Sequence, residues 1–567
     1  MPKSTDGSTP GYQWATIGDI NAFFGLMLDN IADLVLAVSL LSIAYGFPVE
    51  FALRYMVPGT ALGVVFGDVV YTGLAIWVAR KTGKNTITAM PLGLDTPSTF
   101  GMVFFVLGPA YSAAIKVGNP PEAAAMYAWH IGICAIVASG IFKLACAFAS
   151  GWIRRIVPRA GLLGSLTAIA LVLISFLPLL EVLHQPVVGL ISLTIILTTL
   201  VARVPVPGRV PGALAALMVG GTLYYGMQFA GLIPVPEHAL IERVWLPTEW
   251  MSAWQFEWLA VWKDALQYMP VVIPFALATV VGGIDCTESA SAAGDEYHTP
   301  TIIAVEGMAT LVAGLCGGVI QTTPYIGHPA YKAMGGRAAY TLATAVFVGT
   351  AGVLGYFSIL YEWIPKPAIF PILIFIGLEI TAQSFDATPR KHFPAVAFAC
   401  VPALAYLVSL MTGSLLSELN GNIADLSPTL AEQLYTSRII SNGFIVTSLL
   451  WGGWLASIID HRLHVAAGFA LVASFFSFFG VIHSPTLGAP LALPWDMPKE
   501  LSLELAMTPY LMSAAYGIVA IMLFAWHAWM TSEGHAPKRP TADTSGKDRD
   551  KPRSGEPVVR DPKRGVS

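Results

Sequence analysis

The sequence predicts an all-α polytopic membrane protein with two inverted repeats of seven spans and up to two additional C-terminal spans. Of its 567 residues 55% are hydrophobic and only 12% are charged, against roughly 25% charged in soluble domains. Apolar stretches of about 20 residues, enough to cross a hydrocarbon core of roughly 30 Å, recur along most of the chain. The third and tenth of sixteen candidate crossings are interrupted in the same way. So few charges cannot cover a soluble surface, which excludes a soluble enzyme, a nucleic-acid binder and a disulfide scaffold together.

The uninterrupted candidates lie near 20–46, 56–79, 122–150, 157–182, 186–202, 211–234, 264–291, 300–320, 338–361, 367–385, 393–414, 439–460, 463–483 and 508–530. The interrupted pair lies near 88–110 and 321–336. With the N-terminus in the cytoplasm, alternation over sixteen crossings places 23 of the 31 Lys and Arg inside and 7 outside, with Lys143 within a span. That bias has the direction the positive-inside rule requires, so both termini are expected in the cytoplasm and the chain in a bacterial inner membrane. Met1–Gly18 shows no basic leader followed by a short apolar core, so the first apolar stretch is expected to be a retained span. The five cysteines, Cys134, Cys146, Cys286, Cys316 and Cys400, sit in apolar runs and read as small buried hydrophobes.

Two outer loops are long. Residues 235–263 carry Trp250, Trp254, Trp258 and Trp262 at four-residue spacing, which predicts an aromatic stripe on one face of an interfacial helix, with a substrate-capturing lid as the alternative. Leu415–Ser437 is polar and reads as a surface connection. The tail from Thr531, with nine basic residues among Pro, Gly and Asp, is expected to be disordered and available to anionic lipid.

The interrupted segments share one character. Thr96-Pro97 is followed by Gly101 and Thr323-Pro324 by Gly327. Proline lacks a backbone donor and drives the preceding residue out of helical geometry, so neither segment can be a continuous helix. Non-helical backbone at membrane depth persists only where protein buries it or a wet cavity adjoins it. Two such breaks at corresponding places in two halves point to a transporter substrate site. Third and tenth positions imply repeats of seven spans, and an odd number makes the second repeat enter inverted.

Each intramembrane charge needs a reason, because insertion costs about 2.5–3.5 kcal/mol at the bilayer centre. Asp285 and Glu288 are three residues apart and share a helix face, and two such close carboxylates separate their protonation steps as proton coupling requires. A buried acid bonded to a neighbouring span is the structural alternative for each. Asp29, Asn30 and Asp33 in the first span, Asp95, Thr96, Ser98 and Thr99 in the third, and Gln321, Thr322, Thr323, Tyr325 and His328 in the tenth supply mixed donors and acceptors. His328 is a candidate pH-sensitive gate or a packed side chain. Glu306, Asp68 and Glu379 read as packing or gating acids, and Lys143 as a side chain that snorkels or pairs with one of them. No metal-ligand spacing, P-loop or nucleophile elbow occurs in a credible context, so no cofactor, metal or enzyme activity is expected.

On these residues the chain resembles the xanthine/uracil/ascorbate permeases, the second family of nucleobase–cation symporters, with features of the purine branch. The tenth-span signature of that family is matched by Pro324 and Gly327, with Tyr325 in place of its Asn and Lys332 in place of its Thr. Asp285 falls on its eighth-span acid with Glu288 one turn on, Asp29-Asn30 on its first-span Gln-His pair, and Thr96–Phe100 on its third-span ligand-facing backbone. Phe370–Gly377 and Phe393–Ala397 look like its twelfth and thirteenth spans, while Gly283–Gly336 also looks like the sulfate-type carriers of the same fold.

The resemblance implies a core domain (20–150 and 264–362) and a gate domain (151–234 and 363–460), flanked by a cytoplasmic N-terminus (1–19), additional spans (461–530) and a tail (531–567). It implies a homodimer and, as the leading reading, proton-coupled uptake of a nucleobase or related planar heterocycle, with H⁺ rather than Na⁺ as the coupling ion. Asp285, Glu288, Asn30, Asp95, Thr96, Ser98, Thr323, Pro324, Tyr325 and Gly327 would bind the substrate. Asp285, Glu288 and His328 would carry the proton. The alternatives are a sulfate-type small-anion transporter of the same fold and a passive channel.

Overall fold

The computed structural model describes residues 12–156, 159–234, 243–325, 327–386, 388–419, 421, 423, 426–485 and 502–532. Its principal helices are α1 (Gly18–Tyr45), α2 (Val57–Thr82), α3 (Thr96–Met102), α4 (Pro121–Ile156), α5 (Arg159–Ile169), α6 (Pro186–Ile196), α7 (Gly212–Phe229), α8 (Met269–Ala292), α9 (Thr299–Leu315), α10 (His328–Ala333), α11 (Ala339–Val353), α12 (Pro371–Asp386), α13 (Val401–Glu418), α14 (Phe444–Ile459), α15 (Leu463–Phe478) and α16 (Thr508–Ser532). Two three-residue strands, β1 (Leu92–Leu94) and β2 (Thr322–Pro324), lie among the shorter helical segments between these helices. Local sequence sets the ends. Pro58 lies in the first turn of α2, directly behind the π-helical residues Ala52–Met56, and Gly83, at φ 69°, closes the helix on the carbonyl of Ala79.

Among the described residues nine helices are long and apolar enough to cross a membrane, or up to eleven if each of two bent pairs counts as one span. The pairs are Ala339–Val353 with Phe357–Trp363, bent by 92°, and Pro428–Ser441 with Phe444–Ile459, bent by 76°. The sixteen expected crossings exceed this number for a physical reason. Pro186–Val201, Thr299–Leu315 and Leu463–Phe478 are apolar but shorter than 18 residues, so each is only about 24–26 Å long at 1.5 Å per residue. In the tenth segment, β2 and the six-residue α10 stand where a full helix would be.

β1 and β2 pair antiparallel, Leu92 opposite Pro324, Gly93 opposite Thr323 and Leu94 opposite Thr322. The N–H of Asp95 donates to the Gln321 carbonyl at 2.9 Å and that of Tyr325 to the Pro91 carbonyl at 2.8 Å. Exchanging residue 93 with 323 maps this pairing onto itself. The surrounding helices obey the same exchange. The α4–α9 packing has its counterpart in α11–α2, and the α1–α11 packing in α8–α4, when α1, α2 and α4 are swapped for α8, α9 and α11. Two units related by a two-fold through an antiparallel pair run in opposite senses across a membrane, which is the inverted repeat.

Close helix approach depends on small residues. A Cβ on Gly140 of α4 would come 2.8 Å from the Leu311 nitrogen, and one on Gly307 of α9 would come 2.9 Å from the Leu144 nitrogen. Larger side chains would wedge α4 from α9. Around this bundle, α5 packs against α12, α13 and α14, α13 against α14, and α6 against α7.

Two loop expectations are corrected. The tryptophans do not lie on one helix. Residues 249–255 and 257–261 form separate 3₁₀ turns, broken at Phe256 with φ 59°. A 3₁₀ turn has three residues per turn, so four-residue spacing does not hold one face. Trp250 and Trp258 are buried and Trp254 and Trp262 exposed. Within 415–437, Pro428–Ser441 is a helix begun by Ser427 and Pro428, which leaves only a short connection behind α13. Residues 235–242 of the first loop, 1–11 of the N-terminus and the tail from 533 lie outside the described residues.

Candidate functional site

The strand pair ends at a cavity of about 420 Å³. That is within the usual range for small-molecule sites, roughly 300–1,000 Å³. Leu94–Pro97 follow from β1, Thr323–Tyr325 come from the end of β2, and Ala278, Thr279, Gly282, Asp285, Cys286 and Glu288 from α8. The opposite wall is Leu163 and Leu166 of α5 with Ile376, Ile380, Gln383, Ser384 and Asp386 of α12. The lining therefore holds four carboxylates, Asp95, Asp285, Glu288 and Asp386, and no basic side chain.

Asp95 has two tasks. Its carboxylate accepts the Ser98 N–H at 2.9 Å, capping α3, and its carbonyl accepts the Thr99 N–H at 2.8 Å. The positive end of that helix is thus already answered by an acid. Thr96 donates its hydroxyl to Asp33 at 3.2 Å, tying the cavity wall to α1. The Tyr325 ring lies against Gly93, in space that a Cβ at that position would occupy. Its buried hydroxyl has no hydrogen-bond partner among the described residues.

Behind β2 lies Lys143 of α4, fully buried. Its ammonium is 2.9 Å from the Glu306 carboxylate, equally buried, and donates to the Thr322 carbonyl at 2.9 Å. Thr310 holds the other face of Thr322, accepting its N–H at 3.2 Å. A buried ion pair survives when its charges and lone pairs are met, and Lys143 meets both a carboxylate and a strand carbonyl. Among the described residues Lys143 is the one buried Lys or Arg.

At the other end of α8, Asp295 joins the two halves. Its carboxylate accepts the Thr88 N–H at 3.0 Å, lies 3.3 Å from His328 Nε2 and pairs with Lys332. Burial alone would raise the Asp295 pKa, but the contacts from His328, Lys332 and Thr88 outweigh it and hold the carboxyl below its ordinary value. Tyr297 donates to the Thr88 carbonyl at 2.5 Å and Tyr12 to that of Ile87 at 2.8 Å.

Of the residues proposed from sequence, the cavity brings together Asp95, Thr96, Asp285, Glu288, Thr323, Pro324 and Tyr325. It does not include Asn30, Ser98, Gly327 or His328. Asn30 accepts the Leu94 N–H at 3.1 Å and donates to the Leu26 carbonyl, Ser98 is turned to Asp95, and Gly327 meets the Tyr331 ring. His328 faces Asp295 and the Thr88 carbonyl. The side chains of Asn30, Ser98 and His328 thus serve the backbone in and beside the broken segments. Sequence reasoning missed Gln383, Ser384 and Asp386. Their signal was a polar end on the otherwise apolar α12. Among the described residues no group of three or more His, Cys, Asp or Glu is placed to hold a metal ion.

No protein-family model and no curated protein matches the chain. Solved structures do match. One is the transmembrane domain of BicA, a cyanobacterial bicarbonate transporter, with 14% identity, covering 77% of this chain and 96% of that one at a TM-score of 0.43. Another is SLC26A9, with 11% identity, covering 69% of this chain and 62% of that one at a TM-score of 0.44. The resemblance to xanthine/uracil/ascorbate permeases is corrected accordingly: no family model matches the chain, and the solved structures it matches carry the names of a bicarbonate transporter and of SLC26A9, not of such a permease. The nucleobase and purine assignments fall with it. Tyr325 and Lys332, where that signature has Asn and Thr, already departed from it.

Proposed function

We propose that this chain is a secondary active transporter that carries a small anion through the cavity by alternating access. The bundle of α1–α4 and α8–α11 is the moving core, and α5–α7 with α12–α14 the gate it moves against. The cavity lies where the two meet, with β1 and β2 reaching it from one side and α5 and α12 from the other. The observation that carries the anion reading is Lys143, a buried ammonium bonded to the strand that supplies Thr323, Pro324 and Tyr325. Four lining carboxylates would repel an anion while ionised, so the cargo enters with protons on the acids, Asp285 and Glu288 foremost. That makes the transporter a proton–anion symporter.

The test is uptake of radiolabelled bicarbonate, sulfate and a small dicarboxylate into proteoliposomes holding the purified chain. Accumulation of one anion under an inward proton gradient, lost on adding a protonophore, supports the reading. Uptake of none of them, or flux indifferent to the gradient, removes it. Asp285→Asn is expected to weaken gradient-driven accumulation.

A further inference from the structure

We infer that the Lys143–Glu306 pair is the element that links proton uptake to anion binding. With Glu306 ionised the pair is neutral. With Glu306 protonated, Lys143 becomes an uncompensated positive charge at the β2 end of the cavity. This rests on the small-anion reading above and deepens it.

Three features of the geometry support it. Both side chains are fully buried, so no bulk counter-ion replaces the carboxylate charge when Glu306 is neutralised. The ammonium is already bonded to the Thr322 carbonyl, and the next residue, Thr323, lines the cavity, so the released field acts across one strand. Glu306 also lies close to the cavity. A Cβ on Gly283 would come 2.7 Å from its Oε2, and Gly282 beside it is part of the lining. Thr279, another lining residue of α8, faces the same carboxyl, so this stretch of α8 connects Glu306 with the cavity wall.

The titratable groups whose charge reaches Glu306 come from each element packed around it. They are Lys143 and Cys146 of α4, Tyr71 of α2, Cys286 of α8 and Asp95 at the cap of α3. Lys143 acts through space on Asp95 as well, while its direct carboxylate contact is Glu306. At this pair the step balances with one proton of its own, beside those on the lining acids. An O–H bond forms on Glu306 as the anion loads, and the proton leaves as the anion is released, when Glu306 and Lys143 become a neutral pair again.

The experiment uses the full chain in proteoliposomes, with initial uptake of labelled sulfate and bicarbonate measured between about pH 6 and about pH 8. Wild-type uptake is expected to fall as pH rises. Glu306→Gln keeps the shape but fixes the neutral state. Its uptake at the alkaline end is expected to rise about tenfold over wild type, with a flattened profile. Adding Lys143→Met to that variant should leave the profile flat and raise KM about tenfold, because the unmasked charge is gone. A Glu306→Gln profile parallel to wild type overturns the inference, and so does a double variant with the KM of the single one. If the double variant does not purify, Lys143→Arg, which keeps the charge, should retain the wild-type pH profile, and loss of that profile counts against the inference. Absence of any wild-type anion uptake is a different result, since it removes the small-anion reading itself.

Discussion

Around β1 the backbone donors end on acceptor side chains of the same repeat. Leu92 N–H donates to Asp68 at 3.2 Å, and Leu94 N–H to Asn30 at 3.1 Å. Around β2 the repeat-related positions are Thr322 and Pro324. Thr322 N–H donates to Thr310, Pro324 has no N–H, and the Thr322 carbonyl is met by the Lys143 ammonium. Shape is conserved between the halves while the chemistry is exchanged. An acid and an amide anchor one strand, and a hydroxyl and a cation anchor the other. A two-fold fold can therefore present chemically different strand anchors, with the buried Lys143–Glu306 pair on the β2 side.

The largest effect expected on that asymmetry comes from Lys143→Met, which strands Glu306 as a buried unpaired acid. Breaking such a pair costs about 3–5 kcal/mol, and Lys143→Met with Glu306→Met should recover much of it. Denaturant or thermal unfolding in detergent measures both. Next is the comparison of anchors. Asp68→Ala and Thr310→Val each leave a buried strand amide without its acceptor, at about 1–3 kcal/mol. Asp68→Asn keeps an acceptor and should lose much less. Equal losses for Asp68→Asn and Asp68→Ala would show that the amide contact does not hold β1.

Smaller effects sharpen the picture. Asp95→Ala removes the cap of α3, at about 1 kcal/mol, whereas no corresponding side-chain cap exists at the short α10 that follows β2. Asp295 ties Thr88, ahead of β1, to His328 and Lys332, behind β2. Its pKa is held below the ordinary carboxylate value, so its stabilising contribution is complete above that value and is lost as pH falls through it toward the lowered one. Melting temperature should therefore drop less steeply on acidification in Asp295→Asn than in wild type. Asp460, paired with Lys391 and His392 near the surface, is lowered in the same sense, and its variant should show the weakest acid-limb change.

The break in each repeat was legible because proline cannot continue a helix, so that Pro97 stands in the first turn of α3 and Pro324 at the end of β2, and the two carboxylates of α8 were legible because three-residue spacing fixes a shared face. What sequence could not resolve was direction. Asn30, Ser98 and His328 are polar and lie in the right segments, yet they spend their hydrogen bonds on strand and loop backbone. Polar spacing alone does not distinguish a group serving the scaffold from one facing the cavity. The partner of Lys143 was open among Glu306, Asp68 and Glu379, because helix order does not determine which acids meet across α4 and α9. The tryptophan spacing misled because a left-handed Phe256 resets the phase of the chain between Trp254 and Trp258.

Gly93 has a consequence for the width of the cavity. The Tyr325 ring occupies the space its missing side chain would take, and Tyr325 forms part of the cavity wall. A single methyl at position 93 would displace the ring. One hydrogen atom on the strand axis thus gauges that wall: alanine there is expected to reshape the cavity beside Tyr325.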